Sequence, residues 1–218
     1  MYERNQIFAD RAEAGRRLAE RLAKMALADP VVLALPRGGV PVGYEIARRF
    51  KAPLDVLLVR KIGAPDQEEF ALGALVESEP ALAILNEGVP ARLAAYIKDE
   101  TARQAEEIER RRQVYRSGRP LLALAGRTVI VVDDGIATGA TFRAALEAMK
   151  HHGAAKIIAA IPVAPPESLP EIVALSDEIV CLATPEPFQA VGLHYGDFSQ
   201  VGDDEVVGLL RAAREWSE

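Results

Sequence analysis

Five short apolar runs, at residues 31–35, 54–59, 128–132, 156–163 and 178–182, alternate along this chain with stretches of helical periodicity. Runs of this length, apolar at nearly every position, are what strands buried on both faces require, with covering helices between them in sequence. The pattern calls for an α/β fold, a mostly parallel central sheet with helices on both faces. The helical stretches lie at 8–27, where Leu18, Leu22 and Met25 share a stripe, and at 42–50, 139–152, 166–175 and 203–216.

The middle of the chain is different in character. Residues 70–76 and 81–85 read as two short strands joined by Glu77-Ser78-Glu79-Pro80, a hairpin. From 90 to 115 runs a long, charge-laced helix whose Arg110-Arg111-Arg112 reads as a solvated face; its length makes it a candidate subunit contact in a homo-oligomer. Residues 184–201, rich in aromatics, Pro and Gly, read as an irregular loop.

Composition narrows the setting. Half of the 218 residues are hydrophobic, ample for a buried core. No apolar run approaches the roughly 20 residues of a membrane helix. Met1-Tyr2-Glu3-Arg4 opens no apolar segment of the kind a signal peptide needs, and Cys181 has no second cysteine to pair with. A cytoplasmic protein without membrane or nucleic-acid partners is expected, in keeping with the net charge of -6.

The most informative segment is Val129-Ile130-Val131-Val132-Asp133-Asp134-Gly135-Ile136-Ala137-Thr138-Gly139-Ala140-Thr141. An apolar strand delivers two adjacent carboxylates, then a loop of small and hydroxylated residues, then a helix. Ligands of open α/β sheets bind at the carboxyl ends of strands. A loop without bulky side chains lets backbone N–H groups close around a phosphate at the positive end of the following helix. Thr138 and Thr141 add hydroxyl donors. Two carboxylates would repel that phosphate, so vicinal sugar hydroxyls are their natural partners. A Walker loop would need a Lys after the second Gly, and a dinucleotide fingerprint would place glycines before the acids. An aspartyl-phosphatase would set its acids two apart. A plain N-cap accounts for one Asp and leaves the rest without a role.

This run resembles the signature by which type I phosphoribosyltransferases bind 5-phosphoribosyl-1-pyrophosphate (PRPP). The resemblance implies that Asp133 and Asp134 contact the ribose hydroxyls while Ala137, Thr138, Gly139, Ala140 and Thr141 take the 5′-phosphate, with Gly135 a further member of the PRPP-binding run. Gly135 departs from the family, which more often has an aliphatic residue there. Leu35-Pro36-Arg37-Gly38-Gly39-Val40-Pro41, also between a strand and a helix, resembles the family's pyrophosphate loop, which often holds a cis non-proline peptide. Arg60 and Lys61, at the end of the second apolar run, fall where a basic residue contacts pyrophosphate.

The same resemblance makes 64–85 the flexible loop over the substrates, although its Asp66-Gln67-Glu68-Glu69 is more acidic than a lid on pyrophosphate calls for. It implies one phosphoribosyltransferase-like domain over 1–218, with a core at about 29–182 and a small hood from about 1–28 and 183–218. In that hood Phe188, Tyr195, Asp197 and Phe198 would form the acceptor pocket, or the three aromatics would pack the hood onto the sheet. The reaction implied moves the phosphoribosyl group from PRPP to a nitrogenous base or similar acceptor and releases pyrophosphate. Arg37, Lys61, Asp133 and Asp134 would be its catalytic groups, and Mg²⁺ would be bound mainly through PRPP, with no protein metal cage. A non-catalytic PRPP- or nucleotide-binding regulator on the same fold is the alternative.

Overall fold

The computed structural model describes residues 6–65, 67–78 and 80–216, and only the backbone over 67–70. Met1-Tyr2-Glu3-Arg4, Asp66, Glu79 and the side chains of Gln67, Glu68 and Glu69 therefore lie outside the described residues.

Five parallel strands form the central sheet: β1 (Pro30–Ala34), β2 (Leu54–Val56), β6 (Thr128–Val132), β7 (Lys156–Val163) and β8 (Glu178–Ala183), in the spatial order β2-β1-β6-β7-β8. Side chains alternate across it as a pleated strand requires. Val32, Ala34, Ile130, Val132, Ile158 and Ala160 point to one face, and Val31, Leu33, Val129, Val131, Ile157 and Ala159 to the other. The first face is covered by α1 (Arg11–Leu22), α2 (Gly39–Phe50), α6 (Asp203–Arg214) and part of the long α3 (Ala94–Arg116). The second is covered by α4 (Ala140–His151) and α5 (Leu169–Leu175), through Phe142, Leu146, Met149 and Ile172. No described helix is long and apolar enough to cross a membrane.

A second, antiparallel sheet holds β3 (Val59–Ala64), β4 (Gln67–Val76) and β5 (Leu82–Leu85). The expected hairpin is present, with Val76 paired to Leu82. The apolar run at 54–59, expected as one strand, is divided between the sheets. Leu57 N–H still bonds Ala34 O at 3.0 Å, whereas Leu58 O accepts from Glu77 N at 2.9 Å. Leu57 and Leu58 are fully buried where the chain changes sheets, so hydropathy carries no mark of the change.

The two chain ends, read from the sequence as a hood, meet through a short join. Ile7 and Phe8 N–H both donate to His194 O, Gly196 N–H returns to Phe8 O at 2.8 Å, and Phe8 bridges Tyr195 in parallel. Their helices lie against the sheet itself: Leu18 and Leu22 of α1 and Val206 and Leu210 of α6 belong to the same core as the strands. The Arg110-Arg111-Arg112 run is tied along its own helix, to Glu107 and Glu109 one turn back.

Candidate functional site

The strand order creates the site. From β1 the chain passes through α2 to β2 on one side; from β6 it passes through α4 to β7 on the other. The loops leaving β1 and β6 therefore diverge, opening a crevice at the carboxyl ends of two neighbouring strands. Both sequence motifs sit there, Pro36-Arg37-Gly38-Gly39 after β1 and Asp133-Asp134 after β6.

The two loops are in tight apposition. The Pro36–Arg37 peptide is cis. A Cβ placed on Gly38 would lie 1.9 Å from Asp134 Oδ2, and one on Gly39 would lie 2.8 Å from Val132 O. Only glycine permits the first loop to approach the second so closely. Gly139 caps α4 in the left-handed region, at φ 73°, turning the phosphate-type loop into its helix. Gly135 has a different reason to be glycine: a Cβ there would meet Val191 at 2.4 Å and Val163 at 3.0 Å. Val191 of the tail fills the space beside it.

The acidic pair is electrostatically divided. Asp134 Oδ2 accepts from Arg11 Nε at 2.8 Å, and its backbone carbonyl accepts the Tyr195 hydroxyl at 2.5 Å. Burial raises the Asp134 carboxyl and the Arg11 guanidinium opposes that rise. Asp133 Oδ1 accepts the Asp134 N–H at 2.8 Å, and burial with the neighbouring Asp134 charge pushes its carboxyl well above the ordinary range.

Beside the α4 end of the loop lies a cleft of about 820 Å³, lined by Thr138, Ala140 and Thr141 and, across from them, by Lys61 of β3. Arg143 and Glu147, on the same face of α4, line it further along, and Arg143 is ion-paired with Glu171 of α5. Lys61 and Arg60, neighbours in sequence, point to opposite sides of their strand. Arg60 Nε donates to Gln104 of α3 at 2.9 Å, so of the two expected basic residues Lys61 lines this cleft and Arg60 is tied to α3. Arg37 leans toward the start of α6, 3.8 Å from Asp203 Oδ1, which also accepts the Tyr115 hydroxyl at 2.6 Å. Burial and that bond push the Tyr115 phenol up to about 12.

Three of the expected acceptor residues, Phe188, Tyr195 and Phe198, belong to one apolar cluster with Phe8 and Val191. Tyr195 is 2% exposed, its ring between Phe8 and Phe198. Phe198 lies under the Arg11 guanidinium, 3.9 Å from ring centroid to carbon, and against Gly192. These two rings pack the chain ends together, the second of the two roles expected for them. Phe188 stacks at a tilt on His194, and the exposed Asp197 accepts the Ser199 N–H. Ala137 is exposed at the loop's outer edge, where its carbonyl accepts the Ser168 hydroxyl.

Two charged residues escaped the sequence reading. Arg143 was within reach, being one turn into a helix whose start was already assigned to phosphate. Arg11 was not, because 123 positions separate it from Asp134 and nothing local marks it as a partner. Among the described residues no three His, Cys, Asp or Glu side chains form a metal site.

A family model described as "Phosphoribosyl transferase domain" matches residues 3–195. Proteins from two strains of Mycobacterium tuberculosis, provisionally named phosphoribosyl transferases, are 47% identical over 217 residues, 98% of this chain. The chain spans about half the length of these curated relatives, 48% of each. The crystal structure of TT1426 from Thermus thermophilus superposes with a TM-score of 0.83 at 45% identity, covering 97% of this chain and 99% of that one. With a family match over most of its length and relatives of this identity, the chain belongs to the phosphoribosyl transferase domain family.

Proposed function

We propose that this protein is a glycosyltransferase of the phosphoribosyltransferase type, moving the 5-phosphoribosyl group of PRPP to a nitrogen of a small acceptor, a base, with release of pyrophosphate. The observation that carries this reading is the apposition of Gly38 and Gly39 to the acidic pair at the strand crevice, with the Thr138–Thr141 loop beside it. The β1 loop offers the Arg37 guanidinium and the Gly38 N–H for a diphosphate, the acidic pair offers acceptors for sugar hydroxyls, and the rest of the β6 loop offers hydroxyls and amides for a terminal phosphate.

As pyrophosphate leaves, positive charge builds on the ribose ring carbon, and catalysis of such a step is chiefly positioning and electrostatic stabilisation. The loops hold the sugar on both sides of the carbon, and the acidic pair supplies negative charge close by. Mg²⁺ would be carried in on the diphosphate, with the carboxylates of Asp133 and Asp134 as the nearby oxygen groups that suit such a cation, directly or through water; it would neutralise charge on the leaving group. A cytoplasmic location belongs to the same reading.

The decisive experiment incubates the protein with PRPP, Mg²⁺ and a panel of purine, pyrimidine and pyridine bases. Base-dependent pyrophosphate release is expected. Calorimetric binding of PRPP with no turnover across the panel would overturn the catalytic part and leave a PRPP-binding regulator. Thr138→Ala is expected to weaken ribose 5-phosphate binding about tenfold or more, since hydrogen bonds to charged groups contribute about 1.5–3 kcal/mol. Lys61→Ala should lose affinity most at low ionic strength, where charge attraction is least screened. Unchanged affinity in both variants would sink the phosphate assignment.

A further inference from the structure

The cleft beside the phosphate-type loop is far larger than the group assigned to it. It holds about 820 Å³, within the range of about 300–1,000 Å³ that encloses a whole small ligand. A terminal phosphate would occupy only the corner by Thr138 and Thr141. From that corner the cleft runs along α4 as far as Glu147, which at 1.5 Å per residue lies about 9 Å past Thr141. The opposite wall is the antiparallel sheet. Where α4 faces β4 the side chains are alanines, Ala140 and Ala144 against Ala71 and Ala74, and they leave the space open. Thr138 and Thr141 are both exposed, so a phosphate they hold has room to carry a substituent.

The chemistry of the walls changes along the cleft. At the loop stand the two hydroxyls and the positive end of α4, with Lys61 across from them. One turn into the helix comes Arg143. Its partner is Glu171 of α5, and the two side chains are 33% and 59% exposed. An ion pair this open to solvent is worth little, so the guanidinium can exchange its carboxylate for a phosphate, which it grips with a planar fork. The remaining polar groups are Glu147 on the helix and Asn86 and Glu87 at the end of β5, beside the apolar Ile84, Leu85 and Leu175. Carboxylates repel any further phosphate but accept N–H groups, and aliphatic walls suit a flat ring.

We propose that this cleft seats a group linked to the 5′-phosphate, so that the chain takes ribosyl phosphates extended at their 5′ end, with a second phosphate on Arg143 and a nucleoside beyond it. This rests on the phosphoribosyl reading above and deepens it by naming the class of sugar phosphate: diphosphate-linked nucleosides as well as the plain monoester. Esterification removes one negative charge from the 5′-phosphate and the second phosphate returns it, where Lys61 and Arg143 meet it.

The test is calorimetry on the intact chain with ribose 5-phosphate and with ADP-ribose, in which the same phosphate is joined to AMP. Both riboses of ADP-ribose carry a substituted 5′-phosphate, so either orientation probes the cleft. The wild type should bind ADP-ribose at least as tightly as ribose 5-phosphate. Arg143→Ala on the helix wall and Ala71→Phe on the strand wall should each lower the ratio of the two affinities about tenfold, whereas Thr138→Ala should weaken both ligands together. The ratio is internal to each variant, so a partial loss of folded protein cancels, and the two substitutions stand on separate elements. A wild type that binds ribose 5-phosphate and rejects ADP-ribose overturns the extended site and leaves the phosphoribosyl reading standing. ADP-ribose binding whose ratio ignores both substitutions lies outside the cleft and overturns the proposal as well. A protein that binds neither ribose 5-phosphate nor PRPP overturns the phosphoribosyl reading itself.

Discussion

An Arg116→Leu variant is expected to lose about 3–5 kcal/mol of folding stability, the cost of leaving buried charge without its partner. Arg116 ends α3 and is 3% exposed, between Asp55 of β2 and Glu77 just beyond β4. Its Nη2 donates to Glu77, and its Nε lies 3.6 Å from Asp55 Oδ1. Asp55 also accepts the Val56 N–H at 2.8 Å and the Leu122 N–H at 3.3 Å. One cation therefore joins the parallel sheet, the antiparallel sheet and the segment leading into β6. Removing it strands two carboxylates at the junction of the two sheets.

The pH dependence of that loss follows from the direction of the carboxyl shifts. Burial raises both Asp55 and Glu77 above their ordinary values, and Arg116 opposes the rise. Between the ordinary carboxylate range, about 4, and the raised values, the folded chain binds more protons than the unfolded one. Stability from these groups therefore falls as pH rises through that window. Without Arg116 the rise is unopposed and the window extends upward. The deficit of Arg116→Leu should be largest near neutrality and shrink on acidification to pH 5. Urea denaturation at pH 5 and pH 7.5 in matched salt checks this, and equal deficits would reject the account. Adding Glu77→Gln to Arg116→Leu should recover part of the stability at pH 7.5 and little at pH 5.

What could be read from the sequence was local and periodic. Runs apolar at every position mark strands buried on both faces, so all five members of the central sheet were visible, as was the β4–β5 hairpin. The acidic pair and the Arg37-Gly38-Gly39 loop were visible because glycine and vicinal carboxylates have few structural reasons to stand at strand ends. What escaped depends on direction and distance. At Leu57 and Leu58 apolar character continues while the hydrogen-bond partner changes from Ala34 to Glu77, so one run contained two strands. Arg60 and Lys61 looked equivalent until β3 set them on opposite sides, one toward Gln104 and one toward the Thr138 cleft. Tyr195 and Phe198 carry the composition of a base pocket, yet aromatics fill a join between chain ends equally well. The Phe8 and Arg11 contacts of these rings lie far off in sequence and could not be read locally.

Gly38→Ala is expected to have the largest effect on ligand binding of any single methyl added to this chain, weakening ribose 5-phosphate and PRPP binding by well over tenfold. The added Cβ would sit 1.9 Å from Asp134 Oδ2 and 2.5 Å from its Cγ. A loose side chain could swing away, but Arg11 holds this carboxylate and Tyr195 holds its backbone. The β1 loop cannot yield alone either, since Gly39 is packed against Val132 O and Asp133. The methyl must therefore part the two loops or break the Arg11 pair, and overpacking of this kind costs about 1–3 kcal/mol of stability. Gly208→Ala is the control. Gly208 lies within α6 with nothing within 4 Å of its would-be Cβ, so the same methyl should gain about 0.5–1 kcal/mol by helix propensity and leave binding untouched. Combining Gly38→Ala with Asp134→Gly removes the obstructing carboxylate, and should restore much of the stability while binding stays impaired, because Arg11 has then lost its anchor. Calorimetry and denaturation on the three variants decide the matter. A Gly38→Ala protein that binds like wild type would show that the contact between the two loops is not what forms the site.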